Sequence, residues 1–244
     1  MSMDRPRGFA ASRLRAVSAL GLAALLTLAW AQGQPASATR SGEARIVVRK
    51  AGFSGTTSVT YGVVLSNPSA LDAYGVVVTV KIVDEYGLPV ATRRSTVTVI
   101  PAGARFVLGG EAGLSEPADS GTRIRVSARA TSSKRARVPL AAVTHRRVAK
   151  DPGSGKWLVS GVFTNPYRRA LQQYDARACG VVFAKSEKPL GGSCQEIGEA
   201  TGGWRVGLRK SARVHLLTPL GGGVPNGTTA AISIDPGSAV RRSG

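Results

Sequence analysis

The two cysteines of this 244-residue chain have a spacing that predicts a covalent bond. Cys179 and Cys194 lie at equal distances on either side of the turn-forming stretch 185–188, so a hairpin would bring them face to face. In an oxidising compartment such a pair forms a disulfide. Closing a loop of this size stabilises a fold by about 3 kcal/mol in the loop-entropy model. A redox-active role is not supported, because no CxxC spacing accompanies the pair.

Residues that could perform catalysis are few. A hydrolase triad needs a histidine close to a nucleophile and an acid, and His145 and His215 are the two histidines of the chain. His145 lies beside Arg residues, which disfavour its protonation. His215 has the position of an exposed strand residue, and the adjacent Asp84 and Glu85 would point to opposite faces of a strand. We predict no catalytic, cofactor-binding or metal site, and a hydrolase is the weakest functional alternative.

Positive charge dominates the composition, with 33 Lys and Arg against 14 Asp and Glu and a formal net charge of +19. This balance predicts attraction to anionic partners. A basic run without any acid lies near the middle of the chain, and its candidate anionic-ligand residues are Lys134, Arg135, Arg137, Arg146 and Arg147. The alternative is a solvated connector with no partner. The run contains no aromatic residue for stacking, which argues against specific nucleic-acid binding.

One aromatic residue is a candidate for ligand contact. Trp204 follows Thr201-Gly202-Gly203, and a glycine-rich loop tip can present an aromatic ring to a partner. The alternative is packing of this ring inside the protein.

Alternating apolar and polar residues predict the strands that must position these groups. Val76, Val78, Val80 and Ile82 are two apart, which is the period of a half-buried strand. The predicted strand segments of the first half are 46–49, 58–66, 76–84, 93–99, 104–108 and 122–130. Turn residues such as Asn67-Pro68 separate them, and helical periodicity is absent beyond residue 38. The pattern predicts an all-β, antiparallel sandwich.

The second half of the chain repeats the first. Val64–Pro68 matches Val162–Pro166 at an offset of 98 residues, and Val83–Val90 matches Phe183–Leu190 at an offset of 100. Farther along, Ile100, Ile124 and Val126 are matched with Leu208, Ile232 and Ile234 at an offset of 108. Loops that differ in length explain an offset that changes in small steps. We predict β-sandwich domains at 43–132 and 146–238, joined by a basic linker at 133–145; one large sandwich is the alternative.

The repeat does not decide on which face of the sheet the disulfide lies. Parity with the first half places Ala178, Gly180 and Val182 on the predicted core face and Cys179 on the opposite one. Either the disulfide lies on the outer face, or a bulge near Cys179-Gly180 turns it inward.

Residues 1–38 have the pattern of a secretory signal peptide. Four Arg residues precede the uncharged run 16–31, and the small-residue sequence Ala36-Ser37-Ala38 follows a polar stretch. We expect cleavage there by the general secretory route, which leaves a mature chain with a net charge of +16. An uncleaved membrane anchor is the alternative, although 16 uncharged residues fall short of the roughly 20 that span a bilayer.

The order of motifs in the first half resembles the FxLYD-type domain, an immunoglobulin-like module of exported bacterial proteins. The matching segments are Gly62-Val63-Val64-Leu65-Ser66-Asn67-Pro68, then Val80-Lys81-Ile82-Val83-Asp84, Gly87, and Ile100-Pro101-Ala102-Gly103. In Val80–Asp84 both aromatic residues of the family motif are replaced. In the second half of the chain, Ala184 replaces the Asp of the motif, and Glu187 replaces the turn glycine. The resemblance implies two tandem immunoglobulin-like domains, an extracellular setting, and an adhesive or accessory role without catalytic residues.

Together these features predict an exported, non-enzymatic binding or structural module of the bacterial cell envelope. Its basic surface would dock on an anionic envelope polymer or a lipid head group. The alternative is an accessory protein that binds another exported protein through sheet edges or the Trp204 loop.

Overall fold

The computed structural model describes residues 43–135, 138–220 and 226–240, so the predicted signal peptide at 1–38 and the candidate Arg137 lie outside the described residues. The described chain is all-β. Its strands are β1 (Val47–Gly55), β2 (Ser58–Ser66), β3 (Asp72–Val83), β4 (Pro89–Ile100), β5 (Arg105–Gly113), β6 (Arg123–Arg129), β7 (Ser132–Lys134), β8 (Val143–Lys150), β9 (Trp157–Thr164), β10 (Leu171–Gln172), β11 (Arg177–Phe183), β12 (Pro189–Glu196), β13 (Arg205–Val206), β14 (Ser211–Thr218) and β15 (Thr229–Asp235). A short helix, α1 (Ile197–Thr201), and one turn of 3₁₀ helix, Gly237–Ala239, complete the described elements.

Four antiparallel sheets contain most of these strands. Sheet I has the order β1-β2-β5, and sheet II the order β4-β3-β6 with β7 also paired to β3. Sheet III has the order β14-β9-β8, sheet IV the order β12-β11-β15, and β10 pairs with β13 alone. The six predicted segments of the first half overlap β1 to β6 in order. In the described part of the chain, no helix is long and apolar enough to cross a membrane.

The sheets pack in two pairs, sheet I with sheet II and sheet III with sheet IV, through the apolar residues that alternate along their strands. On sheet II, Val76, Val78, Val80 and Ile82 are buried against the odd-numbered residues of β2 on sheet I, as their spacing predicts. Sheets III and IV pack in the same way. Their core includes Val159, Phe163, Val214 and Leu216 from sheet III and Ala178, Val182, Ile232 and Ile234 from sheet IV.

A third interface joins sheet I to sheet IV, so that the layers follow the order II, I, IV, III. Val64 and Val107 of sheet I form a small apolar cluster with Val181 of sheet IV. Strands β2 and β11 are therefore buried on both faces.

Glycines allow sheets I and IV to approach closely. A Cβ atom on Gly109 of β5 would lie 2.2 Å from the backbone nitrogen of Ser193, and one on Gly62 would lie 2.6 Å from Cγ1 of Val181. A Cβ atom on Gly192 would lie 3.0 Å from the Cα atom of Gly109. Side chains at these positions would force the sheets apart.

Polar contacts add to this interface. The backbone N–H of Val107 in sheet I donates to Oγ of the buried Ser233 at 3.0 Å. The N–H of Thr98, in β4 of sheet II, also reaches sheet IV and donates to Oδ1 of Asp235 at 3.0 Å. The guanidinium of Arg177 pairs with Asp235 at 2.8 Å and also donates to the carbonyl of Thr96. The Arg177–Asp235 pair lies within sheet IV, and its hydrogen bonds with Thr96 and Thr98 join sheet IV to β4 of sheet II.

Two buried asparagines show the internal repeat. Nδ2 of Asn67 donates to the carbonyls of Leu71 and Ile100, and Nδ2 of Asn165 donates to those of Arg169 and Val206. Ile100 therefore corresponds to Val206, an offset of 106.

Strand register gives the same offset farther along the chain. Val126 lies opposite Val80 of β3, and Ile232 lies opposite Gly180, the residue of β11 that corresponds to Val80. The expected offset of 108 is wrong. Leu208, Ile232 and Ile234 each lie two residues beyond the true equivalents of Ile100, Ile124 and Val126. The loops before them differ in length between the two halves by less than the sequence pattern predicts.

The predicted disulfide is confirmed. Cys179 and Cys194 are bonded and lie directly opposite each other in β11 and β12, with their Cα atoms 4.0 Å apart. The register of β11 is regular at Cys179-Gly180, so no bulge turns the strand there. The disulfide lies on the face opposite Ala178 and Val182. That outer face is itself buried, since Cys179 packs with the core of sheets I and II.

Candidate functional site

The basic residues predicted at the junction lie on two different sheets. Lys134 ends β7 in sheet II and the exposed Arg135 follows it, whereas the exposed Arg146 and Arg147 lie in β8 of sheet III. Sheets II and III are the two outer layers, so the structure distributes this charge between opposite ends of the stack.

Buried contacts fix the path of the chain between these two groups. Asp72 is 1% exposed; its Oδ1 accepts a hydrogen bond from the N–H of Ala102 at 2.8 Å and its Oδ2 one from that of Val138 at 3.0 Å. Ala141 is buried in the core of sheets III and IV together with Tyr167. Burial raises the pKa of Tyr167, which is therefore a neutral phenol at physiological pH.

A β-bulge shapes the basic part of β8. The register of β8 on β9 shifts between Thr144 and Arg147, and His145 within the bulge has a φ of 50°. Strand β8 is an edge of sheet III. Bulges and exposed charges at an edge strand oppose pairing with another strand, so this edge is poorly suited to strand addition.

Trp204 lies at the surface, with 79% of the residue exposed, and Tyr174 nearby is 71% exposed. Both line a shallow pocket of about 350 Å³ together with Gln173 and Arg205. The β10–β13 ladder positions the two rings, because it pairs Gln172 with Arg205, the residue after Trp204. The sequence did not indicate Tyr174, since its proximity to Trp204 depends on a ladder of two residues per strand.

A larger pocket of about 670 Å³ lies between α1 and β14. Arg205, Lys210, Arg213 and the exposed His215 line it, and Glu199 is the one acid among its lining residues. Arg205 lines both pockets, so the aromatic pocket adjoins a cationic one. The chain reversal after α1 brings these cations together, and no spacing in the sequence indicated it.

Several acidic side chains accept hydrogen bonds from donors in their own turns. Asp119 accepts from the N–H groups of Gly121 and Thr122 and from the Thr122 hydroxyl. The hydrogen bond from that hydroxyl is the main cause of the lowered pKa of Asp119. Asp151 accepts from Ser154 in a similar turn, and its pKa is lowered mainly by the Ser154 hydroxyl.

Other acids accept hydrogen bonds from near or distant parts of the chain. Asp84 accepts from the N–H of Leu88 at 2.7 Å, and Asp175 accepts from Ser238. Glu187 does pair with a cation: its salt bridge and hydrogen bond with Lys50 lower its pKa. Within the described ranges, no group of three or more His, Cys, Asp or Glu could hold a metal ion.

Comparison with known proteins finds no family model and no curated protein that matches the chain. Among solved structures, two mutant oxalate decarboxylases from Bacillus subtilis are similar at 9% and 10% identity, with TM-scores of 0.14 and 0.11. The first match covers 78% of each chain, and the second covers 80% of this chain and 75% of the other. Similarities this small carry no argument about fold or activity.

Proposed function

We propose that this chain is an exported, non-enzymatic binding or structural protein of the bacterial cell envelope. It consists of two tandem immunoglobulin-like β-sandwich domains, and its positively charged surface docks on an anionic envelope polymer. The repeated strand order and the matching asparagine contacts support the tandem arrangement. The pattern of residues 1–38 supports export.

The observation that carries this proposal is the state of the acidic side chains. Asp84, Asp119, Asp151 and Asp175 accept hydrogen bonds from backbone N–H groups in turns. They stabilise the protein's own loops and leave most of the Lys and Arg charge available to an external partner. Each exposed ion contact contributes about 0–1 kcal/mol, so useful affinity requires many contacts at once, as a polymer provides.

Retention of the mature chain on an immobilised polyanion such as heparin tests the proposal. We expect binding at low salt and elution as the salt concentration rises, because screening weakens interactions between exposed charges. The same chain on the uncharged matrix is the control. Absent binding, or binding that salt does not weaken, would refute the proposed function.

The exposed aromatic pair favours a second candidate function, an accessory protein that binds another exported protein. Trp, Tyr and Arg are the residues most enriched at the energetic centres of protein interfaces, and Trp204, Tyr174 and Arg205 line one pocket. In this case Trp204→Ala would abolish binding to that partner and leave retention on heparin unchanged. Leu208→Ala, at another exposed apolar residue, is the matched control.

A further inference from the structure

The outer face of sheet II is strongly basic. Strand pairing places Lys81 between Arg125 and Thr92, and Thr79 between Ser127 and Arg94, so these side chains share one face. On the opposite face, Val76, Val78, Val80 and Ile82 of β3 are buried in the core. We call the outer face the basic face. Its cations are Lys81, Arg94, Arg123, Arg125 and Arg129, and its other residues are Val77, Thr79, Val83, Thr92, Thr96 and Ser127.

Among the described residues, no acid forms an ion pair with this face. All five cations are exposed, and none of them forms an ion pair or hydrogen bond with a described residue. The face contains no Asp or Glu. Its positive charge is therefore available to a ligand lying flat on the sheet.

The charges follow a line. Arg123, Arg125 and Arg129 are spaced along β6 at multiples of two residues, with Ser127 in the gap. Two residues of a strand span about 6.6 Å, so the row is about 20 Å long. Lys81 lies beside Arg125 and widens the row by one strand. A row of this shape fits an extended linear chain.

The spacing of the row suggests the chemistry of that chain. Two strand residues contain six backbone bonds, and one glycerol-phosphate repeat also contains six, namely P–O, O–C, C–C, C–C, C–O and O–P. The negative charges of such a polymer therefore recur at nearly the interval of the arginines. The planar guanidinium of Arg binds two phosphate oxygens at once. We propose that the basic face binds a linear polyol-phosphate polymer that lies along β6; this inference rests on the proposed function and names the surface that performs it.

Two other polyanions fit the face less well. A single-stranded nucleic acid has the same six-bond backbone, but proteins that bind it stack its bases on aromatic side chains, and the basic face has none. An anionic membrane would also meet the carboxylates at one end of sheet II. There the exposed Glu85 lies against Gly121, in the loop that carries Asp119, and both acids would be repelled.

The test compares two triple variants of the mature chain that change the net charge equally. Arg123→Gln/Arg125→Gln/Arg129→Gln alters the basic face, and Arg135→Gln/Arg146→Gln/Arg147→Gln alters the junction. Binding to poly(glycerol phosphate) is measured by calorimetry at several salt concentrations, after urea denaturation has shown that both variants fold. For the basic-face variant we expect an affinity at least about ten-fold lower than that of the parent. The slope of log affinity against log salt concentration should also fall in magnitude by about 2, because roughly 0.7 counterion is released for each phosphate that a cation neutralises. For the junction variant we expect affinity within about three-fold of the parent.

The outcomes separate this inference from the proposed function. If the junction variant loses affinity and the basic-face variant does not, the inference is overturned and the proposed function stands. If the unaltered chain binds neither poly(glycerol phosphate) nor heparin, the proposed function itself fails. Tighter binding to oligodeoxythymidine or to phosphatidylglycerol vesicles than to poly(glycerol phosphate), at equal phosphate concentration, overturns the choice of polymer.

Discussion

At the scale of single residues, Asn67 and Asn165 hold matching corners of the two halves. Both are fully buried; Asn67 donates to two carbonyls and Asn165 to three. Each also accepts a hydrogen bond from the N–H of the residue two positions later, Ser69 or Tyr167. An amide side chain supplies two donors and an acceptor, which a carboxylate or a hydroxyl does not. The Asn-Pro motif visible in the sequence is thus a structural element of the turn after β2 and its counterpart after β9.

Replacement of Asn67 by Ala tests this role. The change leaves the Ile100 carbonyl without a side-chain donor in a buried corner and removes one of the two side-chain donors of the Leu71 carbonyl. We expect the free energy of unfolding, measured by urea denaturation, to fall by about 2–3 kcal/mol. The control is Asn226→Ala at an exposed turn residue, for which a change within about 0.5 kcal/mol is expected. Equal effects of the two substitutions would contradict the assignment.

The pKa of Asp119 gives a second test at this scale. Its lowered pKa depends first on the Thr122 hydroxyl, so Thr122→Val should raise the pKa of Asp119 towards its usual value. A depressed carboxyl pKa stabilises the native state above the pKa of the unfolded chain, and this contribution is lost as pH falls through the folded pKa. NMR titration of the Asp119 and Asp151 carboxyls measures the change in pKa. Asp151, in a separate turn, is the internal control and should keep its lowered pKa.

At the scale of elements, the spacing of sheets I and IV depends on glycines that face each other. Gly109 and Gly113 lie on the same strand, but a Cβ atom at Gly113 would have no neighbour within 4 Å, whereas one at Gly109 would clash with backbone of β12. The Gly191-Gly192 pair has the same packing role on β12. These glycines set the close approach of the two sheets.

Gly109→Ala and Gly113→Ala therefore form a matched pair of substitutions. We expect Gly109→Ala to lower the free energy of unfolding by about 2 kcal/mol or more, because the methyl group overlaps backbone atoms that cannot rotate away. Gly113→Ala should be neutral or slightly stabilising, since it reduces the entropy of the unfolded chain. Chemical denaturation of both variants decides the point, and a neutral Gly109→Ala would show that the sheets separate easily.

Sequence patterns predicted the strands that have one buried face. They did not predict the contacts made by strands that are buried on both faces. The strands β3 and β6 alternate clearly, and the cysteine spacing identified a hairpin. On β2, however, Thr60, Gly62 and Ser66 give the second face a small and polar pattern typical of a solvated surface, although sheet IV covers it. Helix α1 has too few residues for a periodic signal.

The candidate site shows the same division. Exposure of Trp204 was visible from its glycine-rich loop, whereas Tyr174 and the cations around His215 come together only through α1 and the β10–β13 ladder. The alternation of Arg123 and Arg125 was visible as a strand. That these arginines belong to a face with five cations depends on the register of β6 on β3, which a single sequence does not reveal.

At the scale of the whole molecule, four sheets stack through three interfaces, and the middle one couples the two halves. It contains the Val64, Val107 and Val181 cluster, and beside this cluster Thr96 and Thr98 of β4 form hydrogen bonds with Arg177 and Asp235 of sheet IV. Separation of the halves would expose these apolar side chains and remove the Thr98 N–H that donates to the 2% exposed Asp235. Both the lost apolar burial and the lost hydrogen bond are destabilising, so neither half is expected to persist after the other unfolds.

We therefore expect thermal unfolding of the mature chain in one calorimetric transition, with equal calorimetric and van't Hoff enthalpies. Chains above about 150 residues commonly unfold domain by domain, so a single transition would report the strength of the middle interface. Gly192→Val places a side chain between sheets I and IV and should split the transition in two, whereas Gly113→Val, in open space on β5, should leave it single. Two transitions in the unaltered chain would mean that the halves fold independently and that the middle interface is only a weak contact.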